Sequence, residues 1–206
     1  MIDPAHGGTE SGAVLNPTIL EKDVTLALAE RLRQDLTSRG ILTVLVREGD
    51  VNLSTDDRAA SANFEHPSLY VCLHASSEIG ATRIFSASFS DPGTGAGLFA
   101  EWNSAQSESL AGSRAAEQQI AAALQASGFA VRQLIAPLRP LNNVVMPAIA
   151  IEFGPPSANV VQLNSPEFQR SLSIALAKSI AAWASHSQTT TLGAPAAGAA
   201  ASGAPH

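Results

Sequence analysis

Two histidines and two glutamates, far apart in the chain, have the types that hydrolytic chemistry needs. They are His6 in "IDPAHGG", Glu21 in "LEKDV", His74 near the end of "LYVCLHA" and Glu152 near the end of "MPAIAIEF". Two imidazoles and one carboxylate are the ligand set of many hydrolytic zinc sites, which keep a fourth position open for water. A second carboxylate, off the metal, can then take that water's proton. Glu152 is the most telling, because a carboxylate closing an apolar run is expensive to bury unless it is paired or near a metal. Taken singly, each residue also has a plain reading. His6 suits an exposed loop, Glu21 suits a helix N-terminus that favours acids, and His74 suits a hydrogen-bonded core position. An ion-pair partner for Glu152 would have to be a distant arginine such as Arg47 or Arg139. One shared site accounts for all four more simply than four coincidences, although the spacing is not the short helical HExxH pattern.

The elements that must position these residues follow from periodicity. "EKDVTLALAERLRQDLTSRG" sets Val24, Leu28, Leu32 and Leu36 on one stripe with Gly40 as a stop, which predicts an amphipathic helix. "ILTVLV" (41–46) reads as a strand, "STDDRAASAN" (54–63) as a helix opened by a Ser cap, and "LYVCLHA" (69–75) as a buried strand. Beyond these come a strand at 82–88, a Gly/Pro-rich loop at 88–97 and a helix at about 104–126 with Leu110, Ile120 and Leu124 inward. Strands at 129–135 and 144–153 and a closing helix at 165–183 complete the pattern. Alternating periods of this kind predict an α/β single domain, with a mostly parallel twisted sheet of about six strands flanked by helices. The candidate residues then fall at the C-terminal ends of strands, where such sheets place their sites.

Composition narrows the rest. A chain of 206 residues, 45% hydrophobic, can bury one core of ordinary size. Its net charge of −6 leaves no basic stripe for phosphates, so no nucleic acid is expected as a partner. Cys72 is the only cysteine, which excludes an internal disulfide and a Cys-rich zinc module, so a metal must use His and carboxylates. No apolar run suits a membrane span. Met1 and Ile2 are the only apolar residues before Asp3-Pro4, whereas a strand usually runs about five residues, so the first strand is expected to start upstream of this sequence, with an export signal before it. The catalytic domain is expected over 1–184 and a low-complexity, disordered tail over 185–206.

In these motifs the chain resembles the zinc-dependent N-acetylmuramoyl-L-alanine amidases of type 3, peptidoglycan hydrolases whose domains begin Asp-Pro-Gly-His-Gly-Gly. The likeness runs in order through "IDPAHGG", "GA", "LEKDVTLALAERL", "VREGDVNLSTDDRAASAN", "CLHAS", "MPAIAIEFGPPSAN" and "LNSPEFQ", and loosens over 88–140. It implies zinc ligands at His6, Glu21 and His74, one Zn2+ per chain, and a catalytic glutamate at Glu152. It further implies cleavage of the amide between N-acetylmuramic acid and L-alanine, by a monomer acting on peptidoglycan or muropeptides in the cell envelope, the periplasm or outside the cell. The alternative is a degenerate domain that binds peptidoglycan without cutting it, motivated by two departures: Ala5 replaces the first motif glycine, and Ser76 stands where the family usually has Asn or Asp. Another metallohydrolase acting on the same polymer would release different products. Some members carry an inserted helix that plugs the site, and 88–126 is either such a plug or scaffold. Glu10 reads as a support for His6 or as a solvated acid, and Arg47, Asp50 and Arg58 as structural charges. Cys72 shares a strand face with His74 and is expected to be a small buried residue and not a further ligand.

Overall fold

The computed structural model describes residues 1–80, 82–88 and 102–192. The chain opens with β1 (Ile2–Pro4), a short hairpin of β2 (Val14–Asn16) and β3 (Ile19–Leu20), α1 (Glu21–Thr37) and α2 (Thr55–Glu65). Then follow β4 (Tyr70–Ala75), β5 (Thr82–Ala87), a 3-10 turn at Trp102–Ser109, α3 (Leu110–Ala126), β6 (Val131–Ala136), β7 (Ala148–Phe153) and α4 (Pro166–Leu192). The main sheet has five strands in the order β1-β4-β7-β5-β6. Pairing is parallel at β1–β4, β4–β7 and β5–β6, and antiparallel at β5–β7. That reversal sets the start of β5 beside the C-terminal end of β7.

The expected sixth strand at 41–46 does not form; a single bridge between Ile2 and Leu45 stands in its place. Ile2 uses both its backbone groups on that edge, donating to Val44 O at 2.9 Å and accepting from Val46 N at 3.0 Å. The next residue of β1 facing that edge is Pro4, which has no N–H to offer, and its carbonyl is taken by Arg47 and Arg58. Leu42 accordingly points into solvent, 93% exposed. A proline also delays β7: the strand starts at Ala148, after Pro147, and not at 144.

The sheet is covered on both faces. On one, Val71, Leu73, Ile84, Ile149 and Ile151 meet the stripe of α1 (Val24, Leu28, Leu32, Leu36) and residues of α3 and α4, all almost fully buried. α3 buries Ala116, Ile120, Ala121 and Leu124 there, so it is scaffold; residues 89–101 of the stretch considered for a plug lie outside the described residues. On the other face a smaller cluster joins Tyr70, Cys72, Ala148 and Ala150 to Ala59 and Ala62 of α2. Ser54 caps α2 as its sequence predicts: Asp57 N donates to Ser54 Oγ at 3.1 Å and Ser54 N to Asp57 Oδ2 at 3.2 Å. α4 continues to Leu192, past Ser185 where the sequence turns low in complexity, and residues 193–206 lie outside the described residues.

A cavity of about 450 Å³ opens at the N-terminal edge of the sheet, lined by residues including Met1, Leu42, Val44, His66 and Trp183. It lies at the opposite end of the strands from His6 and His74.

Because α1 carries Glu21 into place through its buried stripe, Leu28→Ala is expected to lower unfolding stability by about 3 kcal/mol. Equilibrium denaturation in urea measures this, and a loss under about 1 kcal/mol would show that the stripe does not anchor α1.

Candidate metal centre

The loop after β1 holds His6 in a left-handed conformation, φ +61°, a region that costs a residue with a Cβ roughly 1–2 kcal/mol. Side chains from α1, α2 and the segment between them pin it. Arg58 Nη2 donates to His6 O at 2.6 Å, Arg47 donates to Pro4 O at 2.9 Å and Ala5 O at 3.0 Å, and Lys22 Nζ donates to Gly8 O at 2.8 Å. Asp50 completes the clamp, accepting from Gly8 N at 2.6 Å and from Lys22 at 2.7 Å. Arg47, Asp50 and Arg58 are therefore structural, as their sequence context suggests.

The side chains of His6, Glu21 and His74 converge above this loop. Their ligand atoms lie within 4.8 Å of one another. Glu21 Oε1 is 3.2 Å from His6 Nε2 and 2.8 Å from His74 Nδ1, and the two imidazoles stand edge to face with centroids 5.3 Å apart. Glu21 is 5% exposed. Burial pushes its carboxyl up, but the two imidazoles and the Ala13 N–H hold it well below the usual carboxylate range. His6 is raised, first by its bond to Glu21, against burial and with help from Glu10. Two ring nitrogens and a buried, ionised carboxylate facing one point fit a zinc ion with an open fourth position.

Glu152 stands one strand away. It is the registered partner of His74 across β4 and β7, and so projects from the same face of the sheet. Its Oε1 bonds Arg83 Nη2, and no hydrogen bond to Oε2 is seen among the described residues.

The sequence pattern of a family described as N-acetylmuramoyl-L-alanine amidase matches residues 1–182. The chain belongs to this family. Among its relatives is the N-acetylmuramoyl-L-alanine amidase AmiC of Escherichia coli O6:H1, 40% identical over 76 residues, which are 36% of this chain and 18% of AmiC. The Bacillus subtilis protein YqiI is 28% identical over 181 residues, 87% of this chain and 81% of YqiI. The fold matches the catalytic domain of the amidase CwlV from Bacillus (Paenibacillus) polymyxa, with a TM-score of 0.67 at 23% identity over 89% of this chain and 96% of that one. It also matches the amidase AmiC2 of Nostoc punctiforme, with a TM-score of 0.69 at 22% identity over 89% and 95% of the two chains.

Within this type 3 amidase fold the two departures are accommodated locally. The positive φ falls on His6, Gly7 and Gly8 and not on Ala5, so the added methyl meets no backbone conflict, and Ala5 packs in the core at 4% exposure. Ser76 Oγ accepts from Arg83 Nη2 at 3.1 Å. Glu10 does support His6: its carboxylate bonds Nδ1, leaving Nε2 to face Glu21. Cys72 is buried, 3.5 Å from His74 Nε2 and 3.8 Å from Asp3 Oδ2, and burial followed by the Asp3 charge pushes its thiol well above its ordinary range. A thiol held neutral is a poor ligand.

Two residues at the site, Arg83 and Asp3, escape the sequence reading. Glu152 pairs with Arg83, not with Arg47 or Arg139; Arg47 is spent on loop carbonyls, and Arg139 lies 3.9 Å from Asp56. Asp3, fully buried, takes bonds from Arg58 and Tyr70 beneath the site. A charged residue inside the strand pattern "TRIFSAS" was the available signal for Arg83, by the same logic that singles out Glu152.

Gly12 makes the packing above the candidate ligands testable. A Cβ there would lie 2.5 Å from His6 Cδ2 and 2.7 Å from Glu21 Oε2, and the residue has φ +66°. Gly12→Ala is expected to weaken zinc binding by roughly 10–100-fold in a chelator competition titration. Unchanged affinity would show that metal binding does not need His6 and Glu21 in their present positions.

Proposed function

We propose that this chain is a zinc-dependent amidase, which hydrolyses the amide between the lactyl group of N-acetylmuramic acid and L-alanine in peptidoglycan or in muropeptides released from it. The observation that carries this reading is the convergence of His6, Glu21 and His74 at one sheet edge, with the carboxylate of Glu152 registered beside His74. Zinc bound there supplies a Lewis acid for the lactyl carbonyl and lowers the pKa of a water toward about 7. Glu21, ionised and buried between the imidazoles, supplies the negative charge that the site needs to hold a dication. Glu10 fixes the ring of His6 through Nδ1. Glu152 accepts the attacking water's proton at its Oε2 and delivers it to the nitrogen of the departing L-alanine, which leaves as an amine only once it is protonated. Arg83 keeps the carboxylate turned by holding Oε1.

The full set of four residues favours cleavage over a domain that only binds. The substrate places the activity in the cell envelope, the periplasm or outside the cell, and among the described residues no helix is long and apolar enough to cross a membrane. A monomer suffices, since one chain supplies every ligand.

Glu152→Gln is expected to keep about one zinc per chain and its fold while release of peptides beginning with L-alanine falls by roughly two to four orders of magnitude. Zinc stoichiometry, thermal melting and muropeptide release on one preparation check this; wild-type turnover in the variant would overturn Glu152 as the base. The His6→Ala/His74→Ala double variant is expected to lose its zinc by elemental analysis, and full occupancy would overturn the ligand set.

A further inference from the structure

The row that begins with His74 and Glu152 continues across the sheet to Arg83, which holds Glu152, and then to Arg132, which has no part in the chemistry above. Glu152 is in register with Arg83 across β7 and β5, and Arg83 with Arg132 across β5 and β6. Registered partners project from one face, so His74, Glu152, Arg83 and Arg132 stand in line on one face of the sheet. Two like charges directly opposite on neighbouring strands destabilise a sheet, and here the pair is bridged. Arg83 Nη1 bonds Glu78 Oε2, while Arg132 Nη1 lies 4.0 Å from Glu78 Oε1. One carboxylate thus turns each oxygen to a different guanidinium. The bridge is open to solvent, with the Glu78 side chain 48% exposed and that of Arg132 72% exposed. Arg83, at 18%, is anchored from below by Glu152 and Ser76.

We propose that Arg83 and Arg132 form a carboxylate-binding subsite for the peptide half of the substrate, in which Glu78 stands in for a substrate carboxylate until the peptide arrives. Two guanidiniums presenting separate donors suit a carboxylate better than a single lysine would. For its ligand the proposal rests on the amidase reading. In a muramyl peptide whose L-alanine is followed by a glutamyl residue linked through its side chain, the free α-carboxylate lies one residue beyond the scissile amide. Arg83 is two strands from His74, about 10 Å, a span that one extended residue and the arginine's own reach cover. A peptide carboxylate entering between the guanidiniums displaces Glu78, whose exposed side chain swings into water at little cost.

Two matched muramyl peptides test this, one with the free α-carboxylate at the second residue and one with that group converted to the carboxamide. The zinc-loaded wild type is expected to favour the acid by about tenfold in kcat/KM, mainly through KM. Arg132→Gln, at an exposed position that should not disturb folding, is expected to raise KM for the acid by roughly fivefold and remove most of the preference. Glu78→Gln is expected to lower KM for the acid by about threefold, the opposite of what loss of a purely structural ion pair would do. Calorimetric binding of the corresponding free stem peptides, acid and amide, is measured in parallel without turnover. Tighter binding of the acid with no cleavage of either muramyl peptide would overturn the amidase reading and leave the subsite standing. Cleavage of both at equal kcat/KM, with equal binding of the two stem peptides, would overturn the subsite and leave the amidase reading intact.

Discussion

Everything at the candidate metal centre depends on a strained backbone residue held in place by buried arginines. His6 reaches Glu21 only because its own φ is positive, and a side-chain-bearing residue stays in that region only when its surroundings over-determine it. The determinants here are carbonyls. Residues 4–6 and 8 leave the sheet without ladder partners for their C=O groups, and Arg47, Arg58, Lys22 and Thr25 supply the missing donors. The dependence is mutual. Arg47 is 3% exposed, and burial, with Arg58 nearby, lowers its pKa, so its charge is tolerable only where several oxygens surround it. Loop and arginines each remove the other's unmet bonds, and the imidazole is presented as a result.

α1 ties this loop to the core. Its first turn contributes Glu21 to the candidate metal cluster and Lys22 to the clamp, and Thr25, one turn on, bonds Ala5 O. The same helix buries Val24, Leu28, Leu32 and Leu36 against the sheet. Site geometry and core packing therefore share a single rigid element, which suits a constellation whose ligand atoms must stay within a few ångströms of one another.

How much of this was legible beforehand depended on whether the cause was local. The stripe of α1, the Ser54 cap of α2 and the apolar run of β4 are local patterns, and each produced its element. Among the candidate residues Glu152 stood out locally, as a carboxylate closing an apolar run, whereas His6, Glu21 and His74 each had a plain local reading and drew attention as a set, to which the motif resemblance also pointed. The failures were tertiary. The run at 41–46 has good strand composition, but its partner edge ends in Pro4. The direction of β5, and hence the partner of Glu152, depends on how the chain returns to the sheet, which neither "TRIFSAS" nor its neighbours encode. Ala5 drew attention as a missing glycine, yet the backbone placed the demanding φ one residue later, on the histidine itself.

Cys72 is the only cysteine in the chain and is 1% exposed, beneath His74. Its protonated, inaccessible sulfur resists alkylation at neutral pH. A single cysteine introduced on the surface, for example at Leu42, which is 93% exposed at the far edge of the sheet, would then be the one position open to a maleimide dye or a nitroxide. The protein can carry a spectroscopic reporter without first being stripped of its native thiol.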